Sequence, residues 1–222
     1  MNPPNSAILC KCQIYHRLDD EKLTQVITAL KDAGVRLRIT EDLCHDAVHH
    51  PEKFRDANVF IGCHHRTLQA LCDFAGKSDQ ATVFDVNHDV EKLLDTLTAT
   101  PSDHQDAYSE DTVCRDWIAW YPVIDNNRCV DCGKCADFCM FGVYAFEEKK
   151  VKVVKPSGCK TDCPACARMC PANAIIFPKS TEANINGALE LVVKPDAKQN
   201  ESLRARLQAR KASARLFKED VK

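Results

Sequence analysis

Apolar and polar positions in the N-terminal part of the chain follow two rhythms, one short and continuous, the other spaced for a helix face. Ala7, Ile8 and Leu9 form a continuous apolar run, and so do Val59, Phe60 and Ile61. Short runs of this kind read as strands buried on both faces. Val35, Leu37 and Ile39 alternate with Arg36 and Arg38, and residues 81–86 supply a fourth strand. Between these strands, Leu23, Val26, Ile27 and Leu30 recur at the i, i+3, i+4, i+7 spacing of a helix. Asp19 or Asp20 opens that helix and Gly34 stops it. Pro51 opens a short helical turn. Leu68, Leu71, Cys72 and Ala75, ended by Gly76, repeat the stripe, as do Val90, Leu93, Leu94 and Leu97. Strands alternating with helices predict a small parallel α/β sheet of about four strands over residues 1–98.

From residue 99 the pattern changes. Residues 99–116 are polar and mostly acidic, with Pro101, Asp103, Asp106, Glu110 and Asp111, and read as a linker. Residues 142–146 and 150–154 alternate around a charged turn, which predicts a hairpin. Ala174, Ile175, Ile176 and Phe177 form a closing strand stopped by Pro178, and residues 189–193 suit a further one. Residues 117–197 thus make a second, α+β domain. Trp117, Trp120 and Tyr121 open it as packing residues. Residues 198–222 form a basic helical tail with Arg204, Arg206, Arg210, Lys211 and Arg215. The tail's apolar stripe is weak, so it reads as solvated, with docking on an acidic partner as the alternative.

Composition narrows the setting. A net charge of −2 exerts no overall pull toward nucleic acid or membrane. No run approaches the ~20 apolar residues of a membrane span, and the start MNPPNSAILCKC lacks the basic region of a secretory leader. A soluble, cytoplasmic chain is expected. The chain has 14 cysteines, and in a reducing compartment clustered cysteines read as metal ligands.

Eight of those cysteines crowd into residues 129–170. Cys129, Cys132, Cys135 and Cys139 are spaced C-x2-C-x2-C-x3-C; Cys159, Cys163, Cys166 and Cys170 are spaced C-x3-C-x2-C-x3-C, with Pro171 next. A cubic [4Fe–4S] cluster needs four thiolates, and two-residue gaps let three cysteines of one loop reach three corners of a cube. Structural zinc also uses C-x2-C pairs, but normally joins two well-separated ones. Iron–sulfur is the reading these runs favour.

The stretch resembles a bacterial two-[4Fe–4S] ferredoxin domain over residues 121–178. In that arrangement the fourth cysteine of each run serves the other cluster. The resemblance implies one set of Cys129, Cys132, Cys135 and Cys170, and another of Cys159, Cys163, Cys166 and Cys139. The chain departs from the family pattern at Met140, where proline is usual, and in the three-residue gap before Cys163.

In parallel α/β sheets ligands gather beyond the carboxyl ends of the strands. Cys10 and Cys12, Cys44, and Cys63 each follow a predicted strand. They form a candidate third metal set, against the alternative of four small core residues. Cys10-Lys11-Cys12, Leu43-Cys44 and Gly62-Cys63-His64 resemble the N-terminal domain of the heterodisulfide reductase A family, which implies an additional [4Fe–4S] cluster. The flavin domain of that family is missing. Cys72 lies on a helix stripe and reads as core, Cys114 as an incidental thiol, and His64 and His65 as polar loop residues.

The function expected is an electron-transfer protein or subunit, relaying single electrons between redox partner proteins, with membership of a larger oxidoreductase complex a further possibility. No catalytic residue is assigned. A small heterodisulfide-reductase-like enzyme and a redox or oxygen sensor are the alternatives. No dinucleotide or P-loop glycine motif occurs, nor any helix-turn-helix that would suit a nucleic-acid partner.

Overall fold

The structure, a computed structural model, describes residues 6–13, 15, 18–77, 81–98, 108–111 and 117–189. In the N-terminal half, β1 (Ser6–Cys10), β2 (Arg36–Thr40), β3 (Val59–Gly62) and β4 (Thr82–Asp85) alternate with α1 (Asp20–Asp32), α4 (His65–Phe74) and α5 (Val90–Thr98). Between β2 and β3 the chain forms two short helices, α2 (Leu43–His49) and α3 (Glu52–Arg55). The sheet is parallel throughout, in the order β4-β3-β1-β2-β5.

It therefore has five strands rather than four. The fifth, β5 (Tyr108–Asp111), falls inside the stretch read as a linker and pairs with β2 from Leu37↔Tyr108 to Thr40↔Asp111. Its polar sequence shows no alternation because it is an edge strand held by its backbone and by charge. Glu110 meets Lys11, and Asp111 meets Lys53 at 2.8 Å.

One face of the sheet buries Leu9, Leu37 and Ile39 against Val26 and Leu30 of α1 and Leu93 of α5. The other buries Ile8 and Phe60 against Leu43, Phe54, Leu68 and Leu71. Fully burying one such side chain is worth roughly 1.5–3 kcal/mol. Asp19 caps α1 by accepting from Glu21 N–H and Lys22 N–H at 3.0 Å each, worth about 1 kcal/mol. The stripe, more than the cap, therefore holds α1 in place.

The C-terminal half is built from shorter pieces. β6 (Val123–Ile124) pairs antiparallel with β9 (Ile175–Ile176), and β7 (Tyr144–Glu147) forms a hairpin with β8 (Lys150–Val153). Two one-turn helices, α6 (Lys134–Phe138) and α7 (Ala165–Met169), stand between them. This half packs directly on the first. Tyr121, Val123 and Ile176 join the core beneath α4, Thr67 Oγ1 donates to the Asn186 carbonyl at 2.5 Å, and Arg66 reaches Asp125 at 3.0 Å. The expected tail, and residues 190–193 of the last expected strand, lie outside the described residues. So does Cys114.

Candidate metal centres

The first set is assembled by tight turns. Asp131 at φ 48 and Gly133 at φ 72 take left-handed conformations, which fold the loop back within a few residues. The Asp131 N–H thereby donates to Cys129 Sγ at 3.4 Å. The Asp131 carboxylate is tied to the hairpin by the Val151 N–H at 3.1 Å and Lys150 Nζ at 3.0 Å. Cys135 lies in α6. Cys170 caps α7 and accepts from the Ala174 N–H at 3.4 Å. Cys129, Cys132, Cys135 and Cys170 all line one recess, walled otherwise mainly by apolar side chains such as Ile124, Val151 and Ile175, with Cys166 also at its wall. Burial pushes the Cys135 thiol up to about 12, with Cys129, Cys132 and Cys170 also opposing its ionisation.

Cys139 leaves that group although it belongs to the same run. Burial pushes the Cys159 thiol up to about 12, and the neighbours that add to the shift are Cys166, Cys139 and Cys163. Burial likewise takes Cys166 to about 11; Tyr144, whose hydroxyl donates to Cys166 Sγ at 3.1 Å, partly offsets it. The extra residue before Cys163 is absorbed in a turn, with Asp162 at φ 59 and the Cys163 N–H bonded to the Lys160 carbonyl at 3.2 Å.

A third group forms at the carboxyl edge of the parallel sheet. β2 and β3 flank β1 on opposite sides, so the chain changes direction there, where open α/β sheets form their ligand crevice. Cys10 ends β1, Cys63 follows β3, and Cys44 sits in the first turn of α2. Cys12 adopts φ 50. The Cys10 thiol is raised first by its hydrogen bond with Cys12 and then by burial; Cys44 also opposes its ionisation. Burial raises Cys44 too, opposed by Lys179 and reinforced by Asp42, Cys63 and Cys12. The Leu43 N–H donates to Cys10 Sγ at 3.3 Å. Cys72 is fully buried in the core. His65 is exposed, and His64 faces Asp85 at 3.7 Å.

Cysteine thiolates are soft ligands, and a metal binds them by displacing their protons. Three groups of four, each lined by apolar residues and backbone donors, suit iron–sulfur chemistry. Among the described residues no three His, Cys, Asp or Glu side chains close on a single metal ion.

Four neighbours of these groups were not marked by the sequence as bearing on a metal site. Lys179, Asp42, Tyr121 and Tyr144 are all buried beside cysteines, yet a lone lysine after a strand or a tyrosine within one looks ordinary in sequence. Asp42 alone had a local cue, as the N-cap that accepts from the His45 N–H at 3.2 Å.

No family model matches the chain. Two curated proteins of Methanocaldococcus jannaschii align with parts of it, and they define its class. The chain carries a ferredoxin-type domain and through it belongs to the ferredoxin family. One relative is an uncharacterised ferredoxin, 51% identical over 72 residues, covering 32% of this chain and 49% of the relative. The other is pyruvate synthase subunit PorD, 36% identical over 59 residues, covering 27% of this chain and 67% of PorD. The chain thus spans about half the length of the first relative. Among the described residues no helix is long and apolar enough to cross a membrane.

Proposed function

We propose that the chain is an iron–sulfur electron-transfer protein with three [4Fe–4S] sites. Cys129, Cys132, Cys135 and Cys170 hold one; Cys139, Cys159, Cys163 and Cys166 hold the second; Cys10, Cys12, Cys44 and Cys63 hold the third. The observation that supports this reading is that Cys170, from the second run, lines one recess with Cys129, Cys132 and Cys135 of the first. When bound, such groups exchange single electrons.

The protein's part is to supply thiolates, aim N–H and O–H donors at them, and keep water out. No side chain is required as general acid or base. PorD is by name a subunit of pyruvate synthase. On that likeness the chain serves a larger oxidoreductase as an electron-transfer subunit between redox partner proteins.

Anaerobically purified protein is expected to contain about twelve irons, three cubes of four. Replacing Cys10 and Cys12 together by serine should remove about four of these and leave the ferredoxin signals. Cys132→Ser and Cys166→Ser should each diminish a different remaining signal. Full iron content in both single variants would sink the assignment.

A further inference from the structure

Outside the thiols themselves, the least expected group in the molecule is a buried ion pair that joins the two halves. Lys179 follows β9 in the C-terminal half, whereas Asp42 caps α2 in the N-terminal half. Lys179 Nζ donates to Asp42 Oδ2 at 2.5 Å, and their side chains are 5% and 4% exposed. The ammonium also lies 5.2 Å from the centroid of the Tyr15 ring. Taking two charges out of water costs several kcal/mol for each ion, so such a pair is weak evidence of stabilisation for its own sake. Its position suggests another role.

Asp42 stands two residues before Cys44 and one before Leu43, whose N–H donates to Cys10 Sγ. Lys179, delivered from the other half of the chain, is thus bonded to the carboxylate that caps the helix carrying Cys44 in its first turn.

We infer that Lys179 and Asp42 set the reduction potential of the N-terminal site in opposite directions, Lys179 raising it and Asp42 lowering it. This rests on the three-site reading above. Reduction adds one negative charge, which a nearby cation stabilises and a nearby anion opposes, and in a low-dielectric interior such effects are weakly screened. Lys179 is a positioning residue that acts through charge. It also makes the N-terminal potential depend on docking of the C-terminal half, because that half delivers the ammonium that pairs with Asp42.

The test is a mediated redox titration of the full chain, followed by electron paramagnetic resonance, with iron counted in each sample. Lys179→Met should lower the midpoint of the N-terminal signal, Asp42→Asn should raise it, and Lys179→Arg should leave it near the wild-type value. The two ferredoxin signals should shift much less, and the N-terminal shifts should persist at high salt. A merely structural role would move the midpoint in the same direction in both neutralising variants, or not at all. Either result, with iron retained, overturns the inference. If Lys179→Met loses iron, Asp42→Asn and Lys179→Arg carry the test. A wild-type chain with only about eight irons overturns the three-site reading and this inference with it. Twelve irons with unmoved midpoints overturn this inference alone.

Discussion

Tyr144 illustrates how a single buried hydroxyl can bear on a metal site. Its ring packs in the C-terminal core and its hydroxyl ends 3.1 Å from Cys166 Sγ. Burial keeps this phenol well above its ordinary ionisation range, reinforced by Cys166, so it remains a donor. Hydrogen bonds to cluster sulfurs are among the terms that set the reduction potential. Tyr144→Phe removes one donor and little volume. It should lower the midpoint of one ferredoxin signal, leave iron content intact, and leave the other signals where they are. A redox titration checks this, and an unmoved midpoint would show that the hydroxyl has no electronic role.

At the scale of elements, the end of β3 limits what the third site can tolerate. Gly62 lies between Leu68 of α4 and Cys10 of β1. An added Cβ would stand 3.3 Å from Leu68 Cδ2 and 3.4 Å from Cys10 Cβ. A methyl is tight there, and a branched side chain must displace one neighbour. Leu68 is fully packed in the core, and overpacking of this kind costs typically 1–3 kcal/mol. Gly62→Val should therefore push Cys10 off position. The expected result is selective loss of about four irons with both ferredoxin signals retained. Uniform loss of all iron would point instead to general unfolding.

For the molecule as a whole, α4 is the joint between the halves. Arg66 is nearly buried and bonds Asp125 at 3.0 Å, the Asn173 carbonyl at 3.1 Å and the Leu189 carbonyl at 3.3 Å. Asn126 reaches back to Asp73 at 3.0 Å, and the Tyr121 hydroxyl donates to the Cys44 carbonyl at 2.7 Å. Breaking a buried pair by removing one partner costs about 3–5 kcal/mol. Arg128 remains 3.5 Å from Asp125, which places Arg66→Met near the lower end. Hydrogen exchange should then speed up in α4 and in β6 and β9 together, because their protection depends on the same contact. Faster exchange in one half alone would mean that the halves open independently.

The sequence by itself determined what depends on neighbours in the chain. Stripes at Leu23, Val26 and Leu30 and continuous runs such as Val59, Phe60 and Ile61 encode element type, because burial periodicity follows helix and strand geometry. The cysteine spacings likewise encode two tight loops. Three features needed the tertiary structure. β5 has a polar sequence and becomes a strand only because the edge of β2 is there to pair with it. α2 carries His45 and Asp46 on buried positions, so its sequence shows no amphipathic stripe. Lys179 lies 137 residues from Asp42, and nothing local marks either as half of a pair. The crossed grouping of Cys170 with the first run, and of Cys139 with the second, came from the family resemblance and not from spacing. Spacing brings three thiols of a run within reach of one another at little entropic cost, whereas the fourth is delivered by whichever distant element the packed core sets beside them.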